Sequence, residues 1–276
     1  MIDLTRKMEM GMPVYPGDPF FQSRVVADHN EDGYRVSELT FGSHAGTHLD
    51  APFHAFTDGE TLDSFPVDHF FLPSVLIDLT LSLSRPSPVE KGDEMEEGLS
   101  APFPALITPE TLAPFAPVFE SVPSVILRTG WSDYWGTELF YERFPSLLPT
   151  SAEWIAEFPI RIFGMETPSL SSLANFAFSE EASEIMGGGV TEETFLHSDQ
   201  IAHRTFLGRT PPVLLLEGLT NLDKLPAVTP ETVGNYRDFL FTLACFPLPW
   251  NRSDASPVRA VAIFDKDFPI RSGTGR

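Results

Sequence analysis

Cysteine is almost missing from this chain: its 276 residues hold one, Cys245. No intrachain disulfide can form, and a structural zinc built on several thiolates is excluded. Basic residues are scarce too. Lys and Arg number 18 against 39 Asp and Glu, a net charge of −21 at pH 7. Such an acidic surface repels phosphate backbones, so nucleic acid is not expected as a partner. No apolar run approaches the ~18 residues a membrane helix needs, so no membrane span is expected. The opening Met1-Ile2-Asp3-Leu4-Thr5 lacks the basic and apolar regions of a secretory leader and reads straight into a strand. With the lone cysteine, this points to a cytoplasmic protein.

What is present is globular. Apolar residues make up 42% of the chain and 24 phenylalanines supply core volume. The length fits one large or two small domains. With no internal repeat and no clean linker, the reading is a single domain over 1–276. Glu90 to Glu97 is an acidic cluster inside a Pro/Ser/Gly-rich stretch near 82–104, read as a solvated insertion rather than a docking motif. A second polar insertion is read near 171–199. Its Gly187-Gly188-Gly189 has no preceding strand and no following Lys-Ser/Thr, so flexibility is favoured over a phosphate loop.

Between these segments the pattern alternates strands with a few helices. Arg24–Asp28 and Arg35–Phe41 read as paired strands, the second half-buried. The apolar runs at 74–79, 124–129, 160–163, 213–219 and 260–264 read as buried strands. Thr108-Pro109-Glu110 carries a helix start, with Thr as cap and Pro in the first turn. Residues 150–156 and 200–204 read as helical. The sum is an α/β fold with a mixed, strand-rich core and flanking helices.

The chemistry is concentrated in His44-Ala45-Gly46-Thr47-His48-Leu49-Asp50-Ala51-Pro52-Phe53-His54, which holds three of the seven histidines. Its three histidines and its carboxylate stand at even separations. In an extended strand, even separations share one face, whereas Gly46 and Pro52 oppose a helix. The expectation is a strand that presents His44, His48 and Asp50 to one point. A lone histidine is most often a surface or hydrogen-bonded core residue, but two with a carboxylate at this spacing read as a metal site. Imidazole plus carboxylate suits a divalent ion such as Zn²⁺ or Mn²⁺, and three protein ligands leave a position open for water, which the ion makes acidic. Asp50 can bridge a second ion through its other oxygen. His54, past the turn at Ala51-Pro52, is placed to move a proton; the alternative is a supporting hydrogen-bond role. Glu217 sits inside an apolar strand, where a carboxylate needs a partner. A structural salt bridge is one reading, and a second ion shell with His203 is the other. His29, His69 and His197 carry no such context.

With these residues on the page, the chain resembles the metal-dependent cyclase-like hydrolases, the family that includes bacterial kynurenine formamidase and isatin hydrolase. The likeness runs through Ile2-Asp3-Leu4-Thr5, Gly11 to Asp18, His44 to Pro52, Arg128-Thr129-Gly130-Trp131, His203-Arg204 and Glu217 to Leu222, in order. It implies a swivelling β/β/α fold and a homo-oligomer, commonly a dimer. It implies a first ion on His44, His48 and Asp50, with His54 as the catalytic histidine. In the formamidase branch it implies a second ion on Asp50, His203 and Glu217; in the isatin hydrolase branch a single manganese is typical. Three departures stand out: Ala55 directly follows His54 where an aromatic is usual, Met165-Glu166 replaces Ile-Asp, and Leu170-Ser171 replaces Val-Asp.

The expected activity is therefore hydrolysis of an amide-like C–N bond in a small molecule: an aryl formamide, a lactam or another cyclic amide. Trp131 and Phe56 are candidates to stack on a flat substrate, with plain core packing the alternative for Trp131. A metal-dependent cyclase or dehydratase acting on a hydroxylated carbonyl compound is the competing chemistry. The third reading is an inactive metal-binding homologue.

Overall fold

A computed structural model describes residues 1–83, 105–137, 139–142, 144–172 and 197–264. The acidic cluster and the triple glycine lie outside these residues, as does most of both expected insertions.

In chain order the strands are β1 (Ile2–Asp3), β2 (Gln22–Ala27), β3 (Val36–Thr40), β4 (His48–Asp50), β5 (Phe71–Asp78), β6 (Leu106–Ile107), β7 (Ser124–Arg128), β8 (Ser146–Leu147), β9 (Ile162–Met165), β10 (Leu214–Glu217), β11 (Phe241–Ala244), β12 (Ala255–Pro257) and β13 (Val261–Ile263). Nine form one mixed sheet in the order β1-β13-β11-β5-β7-β9-β10-β4-β12. Its centre, β5-β7-β9-β10, is parallel, and its flanks are antiparallel. The central strands are buried on both faces, which is why they read as continuous apolar runs.

Side-chain alternation sorts the core into two layers. Val75, Ile77, Val125, Leu127, Phe163, Met165 and Leu215 face one way, under the helices Pro149–Ala156 and Ser198–Leu207. Phe206 of the second helix stacks on Phe163 with ring centroids 5.1 Å apart. Leu72, Leu76, Ile126, Leu214, Leu216 and Leu49 face the other way and meet Leu243 and Ala262 from the far end of the strand order. The sheet therefore curls around this second layer, and helices flank it. This is the mixed α/β architecture the sequence led us to expect.

Thr108 caps its helix through its side chain, accepting from the Thr111 N–H, as its sequence signature indicated. The buried run at 160–163 starts two residues later as β9, because Ile160 and Arg161 are spent on the approach from Pro159. β2 and β3 pair as expected, but every residue of β3 is exposed, so this hairpin is not half-buried. Val25, Val26, Val36 and Leu39 stand open on it.

The predicted strand from His44 to Asp50 is corrected, while the expected turn at Ala51-Pro52 is present. Only His48–Asp50 is strand; Ser43–Thr47 is a turn, and Pro52–Ala55 is a single helical turn with Pro52 at its start. Gly46, at φ +69°, breaks the extended backbone. The side chains converge nonetheless, by a folded route.

Candidate active site

The register of β4 against β10 assembles the centre. Glu217 pairs with His48, and Leu215 with Asp50. Directly opposed residues in an antiparallel pair share a face, so His48, Asp50 and Glu217 all point toward the helix side of the sheet, beneath Ser198–Leu207. His203 descends from that helix, and His44 returns from the turn.

The distances are short. His44 Nδ1 lies 2.9 Å and His48 Nε2 3.4 Å from Asp50 Oδ1, while His203 Nε2 lies 3.8 Å from Asp50 Oδ2. Glu217 offers Oε2 to His48 Nε2 at 3.5 Å and Oε1 to His203 Nε2 at 3.4 Å. Donor atoms of His44, His48 and Asp50 lie within 4.8 Å of one another, as do those of Asp50, His54 and His203. Asp50 therefore has one oxygen toward each half of the cluster.

Both carboxylates are buried, and Asp50 Oδ1, Asp50 Oδ2 and Glu217 Oε1 accept no well-aligned hydrogen bond; among the described residues only the imidazole nitrogens above stand near them as donors. Orphaned buried carboxylate oxygens are costly unless a cation completes them. Imidazole nitrogens and carboxylate oxygens are the donors a divalent transition ion takes. The residues fit such an ion, and His203 stands within 3.8 Å of Asp50 Oδ2 and 3.4 Å of Glu217 Oε1 beside the first group.

Electrostatics fit the same account. Burial opposes charge on His44, but Asp50 and Asp254 outweigh it and push its pKa up to about 11. Burial likewise opposes charge on His203, and Asp199 and Glu217 push it up to about 10. These imidazolium charges stand where metal charge would otherwise be. Burial drives His48 down to about 4 and Glu217 up to about 7. Burial also opposes the charge on Asp50, but His44, His48 and His54 hold it below the usual carboxylate range.

His54 is exposed, with its ring 4.3 Å from that of His44 and 5.7 Å from that of His203, centroid to centroid. Burial of its inner edge lowers its pKa, and the neighbouring imidazoles add to this. It stands in a cavity of about 580 Å³ with His44, His48, Asp50, His203 and Glu217.

Trp131 and Phe56 do not line that cavity. Trp131 is 1% exposed and donates Nε1–H to the Phe140 carbonyl; Phe56 packs on the core beneath the Arg204 guanidinium. The aromatic walls are instead Tyr15, Trp135, Phe140 and Tyr141. Trp131 begins a short 3₁₀ turn, and its neighbour Trp135, just beyond, reaches the cavity. No periodicity marks that difference in the sequence.

Glu166 has a structural task. Buried at the end of β9, it accepts from the backbone N–H groups of Thr129 (2.6 Å), Gly130, Trp131 (3.2 Å) and Ser132 (3.3 Å). Arg6 packs over Trp135 at 4.2 Å and donates to the Leu219 carbonyl, tying this clamp to the residues after Glu217. Ser169 and the Ser171 N–H bind Asp199 at the start of the His203 helix. The altered loop is thus fully engaged. His69 is buried between Phe65 and Phe70, and His29 lies on an exposed turn, both away from the site.

Fold and site together define a curled-sheet protein with a buried His/Asp/Glu cluster whose donors could hold a divalent metal. Residues 2–172 match the Cyclase family, and the chain belongs to it. Over 94% of this chain and 95% of the relative, it is 26% identical to the kynurenine formamidase of Geobacillus thermodenitrificans. In structure it is similar to isatin hydrolase A from Labrenzia aggregata, with a TM-score of 0.65 and 22% identity over 95% of this chain and 92% of that one. It is also similar to a protein described as a potential metal-dependent hydrolase with cyclase activity, with a TM-score of 0.59 and 20% identity over 95% and 96% of the two chains.

Proposed function

We propose that this protein is a metal-dependent hydrolase of an amide-like C–N bond, taking an aryl formamide, a lactam or another cyclic amide. The observation that carries the reading is the set of three buried carboxylate oxygens of Asp50 and Glu217 that have imidazole nitrogens, and no other hydrogen-bond donor among the described residues, as neighbours at the floor of a cavity. Kynurenine formamidase and isatin hydrolase, among the relatives above, support this chemistry, while the Cyclase family name keeps cyclisation as the alternative.

His44, His48 and Asp50 would hold one ion, and Asp50, His203 and Glu217 a second; zinc and manganese both suit these donors. A bound divalent ion supplies Lewis acidity, polarising a carbonyl and acidifying water. The chain's own residues do the rest. Tyr15, Trp135, Phe140 and Tyr141 receive a flat substrate. His54, neutral near pH 7, accepts a proton from the attacking water and returns it to the leaving nitrogen.

The exposed apolar β2–β3 hairpin supports assembly as a homo-oligomer, and the single cysteine is consistent with a cytoplasmic location. The test is to load the protein with zinc or manganese and offer N-formyl arylamines, isatin and small lactams. Product mass decides: hydrolysis adds one water, whereas cyclisation with dehydration removes one. A metal-loaded protein inert across the whole panel would leave only a binding role.

A further inference from the structure

Three imidazoles face the two carboxylates, and each has one ring nitrogen turned away. In His48 and His203 the turned-away nitrogen is Nδ1. It meets a backbone carbonyl in both, Gly46 O at 3.2 Å and Asp199 O at 2.8 Å. No side-chain substitution removes those partners. His44 is inverted: its Nδ1 faces Asp50 at 2.9 Å, and its Nε2 is turned outward. There it meets a side chain, Asp254 Oδ2, at 3.4 Å.

Asp254 is far from the motif in sequence but fixed beside it in space. It immediately precedes β12, which pairs with β4, and its carbonyl accepts from the Ala51 N–H at 2.9 Å. Its Oδ2 also accepts from Ser43 Oγ at 3.1 Å, one residue before His44. A carboxylate that takes the outer N–H of a ligating histidine settles which nitrogen keeps its lone pair and holds the ring plane. His203 Nδ1 also has Asp199 Oδ1 at 3.7 Å, but its hydrogen bond goes to the Asp199 carbonyl. Of the three inward-facing imidazoles, only His44 has a side chain as its outer hydrogen-bond partner.

We propose that Asp254 is a positioning residue of the metal centre. It accepts Nε2–H from His44 and so commits Nδ1 to the first ion. The inference rests on the metal-site reading above and extends it to a residue outside the ligand set. Asp254 stands outside the ligand sets assigned above, although its carboxylate lies within 4.8 Å of donor atoms of His44 and His54; its effect is exerted through His44.

The experiment compares wild type, Asp254→Ala, Asp254→Asn and Ser43→Ala by calorimetric titration with zinc, with cobalt(II) absorption as a second readout. Thermal unfolding of each metal-free variant checks the fold. The expected result is that Asp254→Ala weakens the tighter zinc site about 10- to 100-fold. Asp254→Asn, which keeps an acceptor, recovers much of that loss, and Ser43→Ala changes it little. The cobalt(II) band of Asp254→Ala shifts, and zinc-loaded wild type shows a slowly exchanging His44 Nε2–H by nitrogen-15 NMR that is lost in Asp254→Ala. Wild-type zinc affinity in a folded Asp254→Ala variant would overturn the proposal, even if turnover fell, because Asp254 would then act through another group such as His54. An equal loss in Ser43→Ala and Asp254→Ala would also overturn it, since disturbing the turn would suffice. Failure of wild type to bind zinc at all would instead overturn the metal-site reading.

Discussion

Glu217 is the cross-strand partner of His48, and its Oε2 stands 3.5 Å from His48 Nε2. Strand pairing thus brings a residue near the end of the chain into the centre that begins at His44. Its Oε1, by contrast, faces His203 and accepts no well-aligned hydrogen bond.

Replacing Glu217 with Gln should therefore separate the two halves of the cluster. Metal analysis and titration should show one ion retained on His44, His48 and Asp50 and the weaker ion lost. Loss of both ions, or retention of both, would contradict this division.

His54 reaches the cavity but is not needed to hold the ions assigned here. His54→Ala should bind metal as wild type does and lose about 10²- to 10⁴-fold in kcat, the usual contribution of a positioned proton carrier. An unchanged rate on the best substrate of the panel would remove it from the reaction.

The pH dependence of the metal-free protein follows from His44 and His203. Their folded pKa values, about 11 and about 10, exceed the ordinary histidine value of 6.5. Between pH 7 and 10 the folded chain keeps protons that the unfolded chain has released, so stability falls as pH rises through this window. Below pH 6.5 the stabilising contribution of these two groups is fully present. His48, at about 4, works the other way: its contribution is lost as pH falls from 6.5 toward 4. Thermal melts of metal-free protein should show Tm declining from pH 7 to 10. Zinc should flatten that decline, and zinc uptake near pH 7 should release protons.

The two tryptophans of the loop after β7 should part company. Trp135→Ala, on the cavity wall, should raise KM for an aromatic substrate and leave thermal stability nearly intact. Trp131→Ala should cost about 3–5 kcal/mol of stability, as a fully buried indole does. Urea unfolding and steady-state kinetics on both variants check the contrast.

Gly218 adopts φ +67°, and a Cβ there would run into the carbonyl oxygen of Gly46. Gly218→Ala should lose at least about 1–2 kcal/mol from the left-handed backbone alone. It should also weaken zinc binding, because the collision displaces the turn between His44 and His48. Unaltered affinity and Tm would show that the two loops need not touch.

The parallel centre of the sheet was legible because strands covered on both faces become unbroken apolar runs, as at Val125-Ile126-Leu127. The clustering of His44, His48, Asp50 and Glu217 was legible for a different reason. His44, His48 and Asp50 lie close together in the chain, and Glu217 is an expensive charge in an apolar strand. The path of the backbone was not legible. Even spacing suits a strand, but Gly46 and Pro52 set a turn and a helical turn on either side of three extended residues. Nor could the cavity wall be read: Trp131 and Trp135 have the same composition signal, and only the 3₁₀ turn between them decides which is buried. Asp254 has no local signal at all. It lies in a polar turn, and only the pairing of β12 with β4 brings it to His44. β11 and β12 were missed because they are short and flanked by proline-rich turns that mask their pattern.

Backbone meets backbone where Gly46 passes Gly218, and the Thr47 hydroxyl stitches the seam by donating to the Gly218 carbonyl at 2.8 Å. With no side chain between them, there is nothing to trim at that crossing, and adding a Cβ at Gly218 collides with Gly46. Variation in what the protein accepts must therefore come from the opposite side, through Tyr15, Trp135 and Tyr141. The histidine and carboxylate half of the pocket is a fixed anvil, and the aromatic half is the part that evolution or an engineer can reshape.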